Sequence, residues 1–388
     1  MGAVLALLTW VVAMAAIVSV GLIPLVLTRR APVRTGDVRA AFWLGLLILV
    51  PTTVLAGEWL PLRSIGAAAI VGVPIVIGIV LLAWRRPRVQ LRAGAIVRGS
   101  AGSVLVGTLL VAVYLSVAAM GPVSNYDSGL YHLGAIAYAG DYAALRGLAN
   151  VYLALGYGNS HVAVSAFAGN GPWDGEGYRL VNGLLLILLA LDLVIRLAAR
   201  RRTSGTFMLC LAVPAVMVPM LALADYWVTS PTSDTAVLVL SVVSTAYLAD
   251  AIGGSGDRTR DLAVALATAL VSVTMRPTML VFAGAIIVVI AVVVVRTRPR
   301  LRVSIVWWVV GIGAAAGVLQ ALRDRRLSGW LGYPLGLLAF AVPWRAVDPT
   351  ANRLATLGAA RDPAHWQEAS AGWDWIAVWV TRLPTQWE

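Results

Sequence analysis

Apolar residues along this chain come in runs rather than in amphipathic alternation. Runs of spanning length fall at about 3–27, 40–59, 65–84, 101–120, 180–199, 206–224, 235–252, 262–275, 278–295 and 303–321. At ~1.5 Å rise per residue, about 20 apolar residues cross ~30 Å of hydrocarbon. The pattern therefore predicts an all-α integral membrane protein with about ten transmembrane helices. The eighth run is short and stops at Arg276-Pro277, so it is expected to be tilted, partial or shielded by its neighbours. The first run lacks a basic segment before it and a cleavage signal after it, and is read as a retained helix.

Polar positions collect between the runs. The 388 residues are 60% hydrophobic and only 12% charged, about half the charge of an ordinary soluble domain, and their mean hydropathy is +0.85. All 30 basic residues are arginine and the net charge is +12. Arginines of the set Arg29, Arg30, Arg34, Arg39; Arg85, Arg86, Arg88, Arg92, Arg98; Arg196, Arg200, Arg201, Arg202; Arg258, Arg260; Arg296, Arg298, Arg300 and Arg302 occupy alternate short connections. Read as a topology signal, they place those connections in the cytoplasm and the N-terminus outside. Such charge between apolar runs speaks for anionic lipid and against nucleic acid as a partner. The single Cys210 lies within an apolar run, so no disulfide framework or cysteine metal site is expected.

On this map, three external segments hold the candidate chemistry: a long loop at 121–178, a short acidic one at 224–234, and a Trp-rich stretch from Arg323 onward. The first opens with Asn125-Tyr126-Asp127-Ser128-Gly129-Leu130-Tyr131-His132, which crowds a carboxylate, an imidazole, two phenols and an amide beside a helix end. Asp127 is suited to act as general base or as ligand to Mg²⁺ or Mn²⁺, or simply to cap a short interfacial helix. Asp234 and Asp225 lie in the second segment. Asp127 and Asp234 together could hold one divalent cation with positions open for a phosphate oxygen, while Thr232 and Pro231 before Asp234 equally suit a helix cap. His132 could contact phosphate or acceptor; His161 reads as helix-start packing, and His365 as incidental. Arg276, ending the eighth run, either snorkels or clamps a phosphate. Arg323, Arg325 and Arg326 break the charge bias and suit lipid phosphate or local salt bridges. Asp192 and Arg196, four apart near a run's end, read as an intrahelical pair. Small-xxx-small spacings are too common among 37 glycines to discriminate anything.

The motif Tyr126-Asp127-Ser128-Gly129-Leu130-Tyr131-His132-Leu133 resembles the signature of a group of bacterial multi-pass membrane proteins. Leu155-Gly156, Asn159-Ser160, Ser230-Pro231-Thr232-Ser233-Asp234, Arg276, Arg323, Leu327-Ser328-Gly329, Gly332-Tyr333-Pro334-Leu335 and Trp344 follow in the group's order. That group is in turn similar to GT-C glycosyltransferases, which take sugars from polyprenyl-phosphate or diphosphate donors. The resemblance implies a GT-C-like core over 100–322, an N-terminal three-helix addition over 1–99, and an interfacial segment over 323–388. It implies Asp127 and His132 as catalytic residues and Asp127 with Asp234 as possible metal ligands. Arg276 and Arg323 would then bind donor phosphate, with Tyr126, Tyr131, Asn159 and Asp225 in support. The chemistry it implies is sugar transfer at the outer face of the cell membrane to an envelope glycan, lipid or protein. Two departures stand out: Gly336-Leu337 replaces the group's usual Tyr-Pro, and the group's members continue with further membrane segments. On the resemblance, the acceptor-binding region is then expected to be absent, lost, or supplied by a partner membrane subunit. The alternatives are a flippase or exporter of lipid-linked sugar and a non-catalytic scaffold of envelope assembly.

Overall fold

The computed structural model describes residues 2–28, 33–87, 89–90, 99–199, 203–254, 256–297, 303–334, 336–350 and, beyond these, 354, 357–358, 361–362, 365–369 and 372–382. Each apolar run is helical. The long helices are α1 (Gly2–Thr28), α2 (Thr35–Trp59), α3 (Ile65–Arg85) and α4 (Gly99–Ala118). After a loop with two short helices, α5 (Leu133–Asp141) and α6 (Ser160–Ala168), come α7 (Val181–Ala198), α8 (Ser204–Ala222) and α9 (Ser233–Gly253). The last long ones are α10 (Arg258–Met275), α11 (Leu280–Thr297) and α12 (Val303–Ser328), and a short α13 (Trp375–Arg382) follows. Among the described residues, nine helices are long and apolar enough to cross a membrane. The protein is an all-α, multi-pass membrane protein. The eighth run, α10, is the exception: Arg258, Arg260 and Asp261 in its first turn lower its hydropathy, yet nearly all of it is buried among neighbours. It is the shielded helix that its shortness foreshadows.

Burial separates the helices by role. The apolar windows of α7, α2 and α9 are 83%, 72% and 61% buried, against 17% for α11. An apolar helix with little of its surface covered by protein has lipid as its remaining neighbour. Proline inside α1, α2, α3 and α8 is tolerated because neighbouring groups and local adjustment satisfy the freed carbonyls.

Contacts divide the chain into two units. One comprises residues 1–144 and 159–319, the other 145–158 and 320–388, so the division falls within α12. The first three helices pack within the first unit. Trp10 donates its indole N–H to the Leu180 carbonyl at 2.9 Å, and Trp43 donates to the Asp192 carboxylate at 2.7 Å, and their side chains share one core with α7, α9 and α10. Glycine sets the α1–α2 approach: a Cβ at Gly21 would lie 1.9 Å from the Ala41 carbonyl oxygen, and one at Gly45 2.1 Å from that of Ile17. Small residues permit this backbone-to-backbone contact, as in other membrane helix pairs. The second unit has its own small core of Ala149, Tyr333 and Ala346, with Leu153, Tyr157 and Trp330 packed on it. A two-stranded antiparallel hairpin, β1 (Trp330–Gly332) with β2 (Leu337–Ala339), pairs Trp330 with Ala339 and Gly332 with Leu337.

The arginine reading needs correction. Arg39, Arg196 and Arg260 are not solvated loop charges; they are buried in an ionic network with Asp37, Asp192, Asp250 and Asp261. Arg196 Nε donates to Asp192 at 2.7 Å, the intrahelical pair expected from the spacing, and a second edge of its guanidinium meets Asp250. Tyr247 is sandwiched by Arg39 and Arg196 at 4.7 and 4.6 Å and donates its hydroxyl to Asp192 at 3.0 Å. Three guanidiniums among four carboxylates make burial tolerable, since each charge has an opposite partner. Arg29, Arg30, Arg88, Arg92, Arg98, Arg200, Arg201, Arg202, Arg298, Arg300 and Arg302 lie outside the described residues.

Candidate active site

The long loop leaves α4, turns at Asn125 and enters a π-helical turn, Ser128–His132, that runs on into α5. Asn125 Oδ1 accepts from the Asp127 backbone N–H at 3.0 Å, an Asx turn that starts the helix. Asp127 thus stands on the first turn, with its side chain exposed and, among the described residues, in no hydrogen bond or ion pair. The capping role open to it falls instead to the amide two residues earlier. The π turn brings positions 128 and 132 onto one side. Ser128 Oγ lies 3.3 Å from His132 Nδ1, both buried, while Tyr131 meets the imidazole edge-on at 4.3 Å between ring centres. Single π turns of this kind cluster at functional sites. Tyr126 is exposed.

The acidic loop is fixed from inside. Asn182, in the first turn of α7, points its amide N–H₂ at the carbonyls of Thr232, Ser230 and Trp227, at 2.9, 3.2 and 3.3 Å. Its oxygen therefore faces His161 Nε2 at 3.0 Å, which makes Nε2 the protonated nitrogen and Nδ1 the acceptor for Ser165. His161 is wholly buried, so its role is to hold Asn182. Burial pushes its pKa down to about 4 despite the amide hydrogen bond, and it is neutral near pH 7. Asn159 caps α6 by accepting from the His161 N–H at 2.8 Å, a structural rather than a ligand-facing contact. Ser230 Oγ then bridges the two loops, donating to the Asp225 carbonyl at 2.6 Å and accepting from the Asn125 N–H at 3.2 Å. Asp225 contributes its backbone here; its side chain is half-buried.

Asp234 heads α9. Thr232 is the N-cap, accepting from the Asp234 N–H at 3.2 Å and donating its hydroxyl to Asp234 Oδ2 at 2.8 Å. The other carboxylate oxygen pairs with Arg276, and both side chains are a little under half exposed. Arg276 follows the last turn of α10, whose end is anchored by Ser160 Oγ against Thr274 Oγ1 at 3.0 Å. Desolvation, with the positive charge of Arg276 adding to it, lowers the His132 pKa to about 4. His132 is accordingly a neutral imidazole next to a cation. Asp127, His132, Asp234, Arg276, Tyr131, Asn159 and Asp225 all belong to the first unit, whereas Arg323 belongs to the second.

The donor set does not make a ready cation site. Both oxygens of Asp234 are engaged, one by arginine, and the described residues contain no group of three or more His, Cys, Asp or Glu side chains able to share an ion. Sequence reasoning missed Asn182, and named Ser128 and Ser230 within motifs without giving either a role. The one available signal was an amide standing at the head of an otherwise apolar run.

A family model described as a domain of unknown function, DUF8201, matches residues 4–386. No curated protein and no solved structure matches the chain.

Proposed function

We propose that this chain, which belongs to the DUF8201 family, transfers a sugar from a polyprenyl-phosphate donor at the outer face of a bacterial membrane. The observation that carries this reading is an exposed, unpartnered carboxylate, Asp127, beside the turn that holds His132, whose imidazole feels the positive charge of Arg276. Asp127 is exposed without a partner, while Arg276 is held by Asp234 and remains about half exposed. In the proposed step, Asp127 takes the proton of an acceptor hydroxyl as its oxygen bonds to the anomeric carbon. The bond from that carbon to the donor phosphate breaks, and the phosphate leaves with the electron pair. Arg276 offsets the charge growing on the phosphate oxygens. Neutral His132 donates or accepts a hydrogen bond beside it without adding a second positive charge. With Asp234 engaged by Arg276, arginine rather than a divalent cation is the favoured phosphate-holding charge, and no step is routed through a metal.

The test is purified protein assayed against a panel of polyprenyl-phosphate sugars, with hydrolysis and transfer both read. Asp127→Asn should abolish turnover while the protein still inserts and folds; turnover undiminished in that variant would remove the proposal. A second reading, translocation of lipid-linked sugar, draws support from the seven charged groups buried between α2, α7, α9 and α10. Each of them is paired within the network, which suits a fixed joint better than a moving carrier. Lipid translocation in vesicles that survives Asp127→Asn would favour this second reading.

A further inference from the structure

The second unit holds a group of arginines that the site above does not use. Three of them share one arrangement. Arg325 lies over Phe340 at 4.6 Å, Arg146 over Trp344 at 5.0 Å and Arg345 over Trp330 at 5.9 Å. Among the described residues none of these three has a carboxylate partner, and Arg325 Nε is buried without a hydrogen-bond acceptor. A guanidinium stacked on an aromatic face keeps its N–H edge free and pre-oriented for planar, bidentate acceptors.

The stacks are built around the last turn of α12. Gly329 N–H and the Trp344 indole both donate to the Arg325 carbonyl, at 2.8 and 3.4 Å. Gly147 N–H reaches the Arg326 carbonyl at 3.1 Å and Ala346 N–H the Ser328 carbonyl at 2.8 Å. The carbonyls that would give this helix end its negative character are thereby satisfied internally, so the dipole that would repel an anion is offset. Asn150 Nδ2 fixes the Trp344 carbonyl at 2.7 Å, and Arg345 crosses at Gly329, where a Cβ would lie 2.6 Å from the Arg345 Cα.

Position along the chain says where such an anion would be met. The 26 residues of α12 rise ~39 Å at ~1.5 Å each, more than ~30 Å of hydrocarbon. Its apolar stretch ends at Leu322, so the arginine turn emerges where phosphates of the bilayer lie. The hairpin beside it exposes Leu337 and Leu338, at 56% and 70%, which suits the acyl boundary next to the headgroups.

We infer that the second unit is a binding site for the phosphate of an anionic phospholipid, read by the stacked guanidiniums of Arg146, Arg325 and Arg345. The site is independent of the transferase reading and makes no use of Asp127 or Arg276.

The experiment uses the full chain in a neutral detergent, titrated with a fluorescent short-chain phosphatidic acid. Short-chain phosphatidylcholine and inorganic phosphate serve as competitors. Saturable binding is expected, weakened roughly fivefold for each arginine changed to glutamine and on the order of a hundredfold for all three. The triple lysine variant should keep part of the affinity, having charge without the stacked fork. If the triple glutamine variant does not fold, Arg146→Gln and Arg345→Gln, both at exposed side chains, carry the test singly. Undiminished binding in folded glutamine variants overturns the inference. So does equal competition by inorganic phosphate or phosphatidylcholine, or a parallel loss in Asp127→Asn or Arg276→Gln.

Discussion

His132 and His161 behave as bases held neutral by burial. Both have folded pKa values lowered to about 4 from an ordinary 6.5. The unfolded chain therefore binds more protons than the folded one between those values, so stability rises with pH there. The contribution is full above pH 6.5 and is lost as pH falls toward 4, by a few kcal/mol in all. Thermal melting in detergent should show this fall, and His161→Phe should flatten it. Activity that depends on neutral His132 should persist through pH 6 and decline only near 4. Asp234→Asn separates structure from function. A half-exposed ion pair is worth roughly 0.2–1 kcal/mol, so melting should barely change. Donor turnover should drop at least tenfold, because Arg276 loses the partner that aims it. Unchanged kinetics in that variant would show that the pair does not orient the cation.

Asn182 ties three elements with one side chain: α7 by its backbone, the loop before α9 by three carbonyls, and α6 through His161. Asn182→Leu leaves those buried carbonyls and the imidazole unsatisfied, at ~1–3 kcal/mol for each group that finds no water. Marked loss of melting temperature is expected together with loss of turnover, since the same loop holds Asn125 and hence Asp127 through Ser230. Thr232→Ala removes the α9 cap, about 1 kcal/mol, together with the hydroxyl that donates to Asp234, and should be the milder change. Helices α1 and α2 depend on absence of side chain in the same way, and Gly21→Leu should disrupt insertion or assembly because the Ala41 carbonyl occupies the space.

Seven buried charges hold α2, α7, α9 and α10 together at a single joint. Removing one partner strands the others in a medium that solvates them poorly. Asp192→Leu or Arg196→Met alone should cost about 3–5 kcal/mol, and the two together less than the sum. A double variant as unstable as the sum would mean that the two residues do not share the network. Asp192 also accepts from Trp43 and Tyr247, so its loss should be the larger of the two.

Length and apolarity of the runs settled the all-α membrane class and the place of every long helix, because a bilayer demands that each segment satisfy its own backbone. The knot at 125–132 stood out as a cluster of polar groups beside an apolar run, and the structure places it at a π-helical turn. Spacing alone also found the Asp192–Arg196 pair, since four residues make one helical turn. It could not find that Arg39, Arg260, Asp37, Asp250 and Asp261 join that pair, because their contacts cross from helix to helix. Nor could it tell Asp127, left free, from Asp234, engaged by Arg276, as both stand at helix starts with the same local grammar. Which small residues touch, which arginines face lipid and which acids remain available are decided by packing between segments far apart in sequence, and only the tertiary structure brings those segments together.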